Sequence, residues 1–140
     1  MLKRIDPLLT GELLAILRDM GHGDEIALVD ANFPAASVAR RLVRLPGTDI
    51  ERAAVAVLEV LPLDDFVAAP AAAMADPNGR PTIHDAFERI LATAEGRPVA
   101  MEAIDRFAFY DRTRAAFAVI ATGETRLYAN LVLKKGVVRS

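Results

Sequence analysis

Four residues, Ile26-Ala27-Leu28-Val29, form an unbroken apolar run that stops at Asp30. A run too short for a helix and lacking a polar alternate face is the pattern of a strand buried on both sides. A strand covered in that way needs helices above and below its sheet, which restricts the chain to an α/β architecture.

The flanking segments agree. Leu13, Leu14, Ile16, Leu17 and Met20 recur at helical spacing from Gly11, with Thr10 placed to cap the helix and Gly21 to end it. A second strand is expected over Arg41 to Leu45. Thr48-Asp49-Ile50-Glu51 then has capping-box spacing and opens a helix to about Leu61. Phe66 to Met74 reads as a third strand that Pro70 makes marginal, and Thr82 with Asp85 starts a helix that ends by Gly96. A strand around Val99 to Ile104, a helix from about Phe107 to Ala115, and strands within Phe117 to Thr122 and Leu127 to Leu133 complete the chain. The expectation is a three-layer α/β/α fold with a mixed, mainly parallel sheet of about six strands, forming one domain over residues 1–140. Ligands in such sheets collect outside the carboxyl ends of strands, so Asp30 is a candidate by position alone.

Composition narrows the possible partners. The net charge is −2, which leaves no basic field to hold a polyanion, and no nucleic acid is expected. There is no cysteine, which removes disulfides, thiol nucleophiles and thiolate ligands together. Asp6, Pro7 and Glu12 interrupt the apolar character of the first residues, and no stretch approaches the roughly 20 apolar residues of a membrane span. A soluble, cytoplasmic protein without membrane attachment is expected.

Three clusters carry chemistry. In the segment from Gly21 to Ala35, His22 stands between two glycines and close to Asp24, Glu25 and Asp30. An imidazole with an ordinary pKa near 6.5 exchanges protons at neutral pH, and Asp30 could orient it or hold a substrate hydroxyl, forming a pocket mouth where the first strand ends. The plain alternative is a surface histidine beside capping carboxylates. A metal would compete for the same groups, but no second histidine stands at ligand spacing, and none is expected. His84 falls in the first turn of an amphipathic helix and is read as a solvated residue. The second cluster, Arg106-Phe107-Ala108-Phe109-Tyr110, offers either a guanidinium fork for hydroxyl and ring oxygens or simple core and surface. In the third, Tyr128-Ala129-Asn130, a phenol and a carboxamide provide donors and acceptors suited to a polyol. Lys134 and Lys135 read as a solvated or subunit-contact surface.

Taken in order, Met20-Gly21-His22-Gly23-Asp24-Glu25, Asp30-Ala31-Asn32-Phe33-Pro34, the Arg106 to Tyr110 segment, Thr122-Gly123-Glu124, Tyr128-Ala129-Asn130 and Leu133-Lys134-Lys135-Gly136 span nearly the whole chain. They resemble the L-fucose mutarotases, which belong with the D-ribose pyranases in one sugar-isomerising family. The resemblance implies an isomerase that interconverts the α and β anomers of L-fucose, or a related monosaccharide, by acid/base ring opening and closure, without a cofactor. It implies His22 as proton donor, Asp30 and Arg106 as sugar contacts, and Tyr128, Ala129 and Asn130 as the rest of the pocket. Alanine at 129 stands where the fucose branch commonly has glycine and is similar to the ribose branch, whereas the segments at 106–110 and 133–136 favour fucose. A ring-shaped, decamer-like homo-oligomer with pockets at subunit contacts is also implied. The alternatives are pyranose–furanose isomerisation of ribose and a non-catalytic monosaccharide-binding module.

Overall fold

Helices and short strands alternate along the computed structural model, which describes residues 1–140. Their order is α1 (Gly11–Asp19), β1 (Glu25–Val29), α2 (Ala35–Val38), β2 (Leu42–Leu45), α3 (Ile50–Leu58), β3 (Ala71–Met74), α4 (Ile83–Glu95), β4 (Met101–Ile104), α5 (Arg106–Ala115), β5 (Ala118–Thr122) and β6 (Leu131–Lys134). Side-chain oxygens that accept otherwise unpaired N–H groups set three of the helix starts. Thr10 accepts from Leu13 at 3.2 Å, Asp49 from Arg52 at 2.8 Å, and Asp105 from Phe107 and Ala108 at 2.9 and 3.0 Å. Gly96, with φ of 69°, ends α4 in the left-handed conformation that glycine adopts without strain.

The strands form one six-stranded sheet in the order β2-β5-β1-β6-β3-β4. Parallel pairs join β2 to β5, β5 to β1 and β3 to β4, while β6 runs antiparallel to both β1 and β3. The mixed, mainly parallel sheet expected from the sequence is therefore present. Strand alternation sends Ile26 and Leu28 into a large core with α1, α3 and α4, and Ala27 and Val29 into a smaller one with α2 and α5. All four β1 residues from Ile26 to Val29 are fully buried, as the apolar run required.

Several local expectations are corrected. Asp49, not Thr48, caps α3, and that helix ends at Leu58 rather than near Leu61. Thr82 makes no side-chain capping bond. Only Ala71–Met74 of the Phe66 to Met74 segment is a strand, because Pro70 lacks the N–H that a ladder uses. The final strand begins at Leu131, since Tyr128 adopts φ of 60° and breaks the extended run. His84 is 1% exposed rather than solvated. It shares the buried stripe of α4 with Phe87 and Leu91 at helical spacing, and its Nε2 lies 3.1 Å from the Met74 carbonyl. Burial pushes its imidazole pKa down, which favours the neutral ring. Lys135 is half-buried and donates to the Leu17 and Met20 carbonyls at 2.6 and 2.5 Å, satisfying the end of α1 instead of forming open surface.

The loop between β5 and β6 is anchored at Gly123 and Glu124. A Cβ at Gly123 would meet the Pro46 carbonyl oxygen at 2.1 Å, so only glycine fits. Glu124, 3% exposed, accepts hydrogen bonds from the Arg126 guanidinium and from the backbone N–H groups of Thr125 and Arg126, at 2.8 to 2.9 Å. The Arg126 contact first, opposed by burial and aided by the backbone donors, holds its carboxyl well below the usual range, at about 2. A depressed carboxyl pKa contributes stability that is complete above the unfolded value of 4.5 and lost as pH falls toward 2. Glu124→Gln should lower unfolding stability by roughly 2–3 kcal/mol at pH 7, with the deficit shrinking below about pH 4, measured by urea titration across pH.

Candidate functional site

Strand β1 ends at Val29, and Asp30 follows at the carboxyl edge of the sheet. The antiparallel register Leu28↔Leu131 brings the start of β6 beside it. Asn130 and Asp30 form a closed reciprocal pair: the Asp30 N–H donates to Asn130 Oδ1 and Asn130 Nδ2 donates to Asp30 Oδ2, each at 2.8 Å. The Asn32 N–H donates to Asp30 Oδ1 at 2.8 Å. Both side chains are nearly inaccessible, at 7% and 2% exposure. Each carboxylate oxygen still has a lone pair available, so hydroxyl groups at this edge find a fixed acceptor.

The neighbouring residues arrive by separate routes. Tyr128 is half-buried against the smaller core beside Asn130, and its carbonyl accepts the Asn130 N–H at 2.9 Å. Its left-handed backbone costs about 1–2 kcal/mol for a residue with a Cβ, a strain held by the packed strand that follows. Ala129 is fully buried in the larger core, which leaves only its backbone to contribute. Arg106 begins α5, just beyond the end of β4 at the same edge of the sheet. It is exposed, lies 4.8 Å over the Phe107 ring and makes no ion pair, so its guanidinium is free to bind. On the β5 side of Asp30 lies a cleft of about 340 Å³, lined by Phe33, Pro34, Arg44, Thr122 and Gly123 among others.

His22 is elsewhere. It sits between α1 and the amino end of β1, and the five residues of β1 alone span roughly 13 Å. The expected grouping of His22 with Asp30 at one pocket mouth is not made within a single chain. Nor do the nearby carboxylates touch the ring. Asp24 accepts the Gly21 N–H at 2.7 Å, and Glu25 pairs with Arg112 at 2.6 Å. His22 Nε2 instead lies 3.0 Å from Oδ1 of Asp64, and its ring centroid is 5.0 Å from that of Phe66. Asp64 is 3% exposed. Burial raises its carboxyl pKa, but the Phe66 N–H, the His22 imidazole and the charge of Lys134 outweigh that and leave it below the usual range. Phe66 escaped sequence reading because it opens a segment taken for a strand, and Asp64 because it lies in the unassigned stretch just before it. The aspartate two residues before Phe66 was a usable signal, since its side chain accepts the Phe66 N–H at 3.0 Å in the manner of an Asx turn.

The candidate residues thus form two groups at opposite edges of one sheet: Asp30, Arg106, Tyr128 and Asn130 at one, and His22 at the other. The model of the RbsD / FucU transport protein family matches residues 3–138. The chain is 47% identical to human fucose mutarotase, over 98% of this chain and 94% of that protein. Its fold is similar to that of the fucose mutarotase from Streptococcus pneumoniae in complex with L-fucose, with a TM-score of 0.92, 38% identity and coverage of 99% and 100% of the two chains. It is also similar to Bacillus subtilis RbsD complexed with D-ribose, with a TM-score of 0.77, 27% identity and coverage of 99% and 100%. Asn130→Ala should strand the Asp30 N–H and weaken its carboxylate, lowering unfolding stability by about 1–3 kcal/mol in urea titrations.

Proposed function

The chain belongs to the RbsD/FucU family, and from that premise we propose that it is a fucose mutarotase, an isomerase that interconverts the α and β anomers of L-fucose. The observation that carries this reading is its full-length likeness to fucose mutarotases, including one with the sugar bound. Asp30, Asn130, Tyr128 and Arg106 supply what a monosaccharide needs: fixed acceptors, a carboxamide, an aromatic ring and a cationic fork. In the reaction the anomeric hydroxyl gives its proton to water, the bond from C1 to the ring oxygen breaks, and the protonated His22 ring delivers a proton to that oxygen. Rotation about C1–C2 presents the other carbonyl face, and reclosure reverses the transfers. No electron leaves the sugar, so no redox partner enters the balance.

Because His22 and Asp30 occupy opposite edges of the sheet, a complete pocket joins His22 of one copy to Asp30 of the next. The contact is head to tail, and a contact of that kind closes into a ring if the rotation permits. Exposed apolar side chains accompany both edges: Phe66 at 66% beside His22, with Phe107 at 66% and Leu127 at 70% toward Arg106 and Tyr128. Such side chains are suited to cover one another between copies. The reading is a cytoplasmic, decamer-like homo-oligomer of one sugar-mutarotase-like domain; no helix is long and apolar enough to cross a membrane.

Saturation-transfer NMR on L-fucose tests the activity directly. The wild-type protein should accelerate anomer exchange, with more effect on fucose than on ribose, and His22→Gln should reduce it by about 10²-fold or more. Binding of fucose without accelerated exchange would mark a sugar-binding module and overturn the assignment.

Light scattering should give a species many times 15.1 kDa. Coexpressing His22→Gln with Asp30→Asn, each inactive alone, should restore about a quarter of the sites if neighbours share them. A fully active monomer would exclude the shared pocket.

A further inference from the structure

We propose that Asp64 is the positioning residue for His22, fixing which ring nitrogen carries the resting proton and which one faces the sugar; this rests on His22 acting as the proton donor. The His22 side chain is 43% exposed, and its only hydrogen bond runs from Nε2 to Asp64 Oδ1. An ionised carboxylate only accepts, so the proton of the neutral ring resides on Nε2 and the lone pair on Nδ1. Nδ1 has no partner in the chain and is the nitrogen left to exchange protons with substrate. When Nδ1 holds a proton, Nε2–H keeps its hydrogen bond to the Asp64 carboxylate at 3.0 Å and the ring stays in place. The Phe66 ring lies along one flank and restricts the ring plane.

The placement of Asp64 is itself over-determined. Its N–H donates to the Lys134 carbonyl at 3.0 Å, the Gly136 N–H donates to the Pro62 carbonyl at 2.8 Å, and Leu63 bridges Lys135. A Cβ at Gly136 would meet the Leu63 carbonyl oxygen at 2.4 Å, so this close approach needs glycine. The Leu63 N–H donates to Glu95 at 3.0 Å, tying the segment to α4. The buried carboxylate is therefore carried on a rigid support from β6 and α4, while the histidine it holds stands on a turn. A carboxylate serving the turn alone would need only the Phe66 N–H; this one also reaches the imidazole.

The test pairs a spectroscopic signature with kinetics. In ¹⁵N-histidine protein, long-range ¹H–¹⁵N spectra near pH 8, assigned by the loss of the His22 signals in His22→Gln, should show the Nε2–H tautomer. Asp64→Asn should give mixed tautomers and slow fucose exchange by about 10- to 100-fold at saturating sugar, with KM changed by less than about twofold. Asp64→Ser retains a turn acceptor for the Phe66 N–H without the charge and should behave alike; it substitutes for Asp64→Asn if that variant does not fold. An Nδ1–H tautomer in the wild-type protein, or a folded variant with unchanged tautomer and rate, would overturn the assignment of Asp64. Full exchange in His22→Gln would instead overturn the role of His22.

Discussion

The backbone pairing of β6 is the constraint on which the rest of the molecule depends. It is the one strand that runs against its neighbours, and it joins the parallel block β2-β5-β1 to the parallel pair β3-β4. Its first turn brings Asn130 to Asp30; its last residues supply the carbonyls that fix Asp64 and the glycine turn carrying His22. One short apolar strand therefore sets both edges at which chemistry can occur. Its register is specified strongly, because a slip of one residue would exchange the faces of Leu131, Val132 and Leu133 between two cores of different size.

Much of this fold was legible from residue pattern. Apolar runs of four or five residues separated by amphipathic stretches identify a covered sheet, and the boundaries of α1, β1, β2 and α5 lie within a residue or two of those expected. What failed did so for local physical reasons. Apolar content between Phe66 and Met74 looked like a strand, but half of it is a turn organised by the carboxylate of Asp64. Tyr128 and Ala129 continue an apolar run in sequence, yet a left-handed tyrosine separates them from the strand. His84 looked polar and thus solvated, although its helical phase relative to Phe87 and Leu91 already placed it inside.

The candidate site was legible in its residue types but not in its geometry. Proximity in sequence suggested that His22 and Asp30 share one pocket, whereas a strand between two residues is a spacer. Eight residues that include an extended segment carry the chain from one edge of the sheet to the other. The partner that holds His22 comes from 42 positions away and could not be found by counting neighbours. Asp30 and Asn130, in contrast, are 100 positions apart and close a reciprocal pair of hydrogen bonds at 2.8 Å each. Chain order conceals the pairing of His22 with Asp64, whereas the family resemblance already groups Asp30 with Asn130 in one pocket.

The absence of space at Gly123 has an evolutionary consequence. Any side chain there would collide with the Pro46 carbonyl, so the β5–β6 connection is pinned at its base while Thr125, Arg126 and Leu127 remain exposed at its crest. Diversification of this loop is channelled outward, into positions where sequence drift alters the rim and leaves the hinge point untouched. A library randomised across 123–127 would recover glycine at 123 and the Glu124–Arg126 pair, with a broad spectrum at 125 and 127.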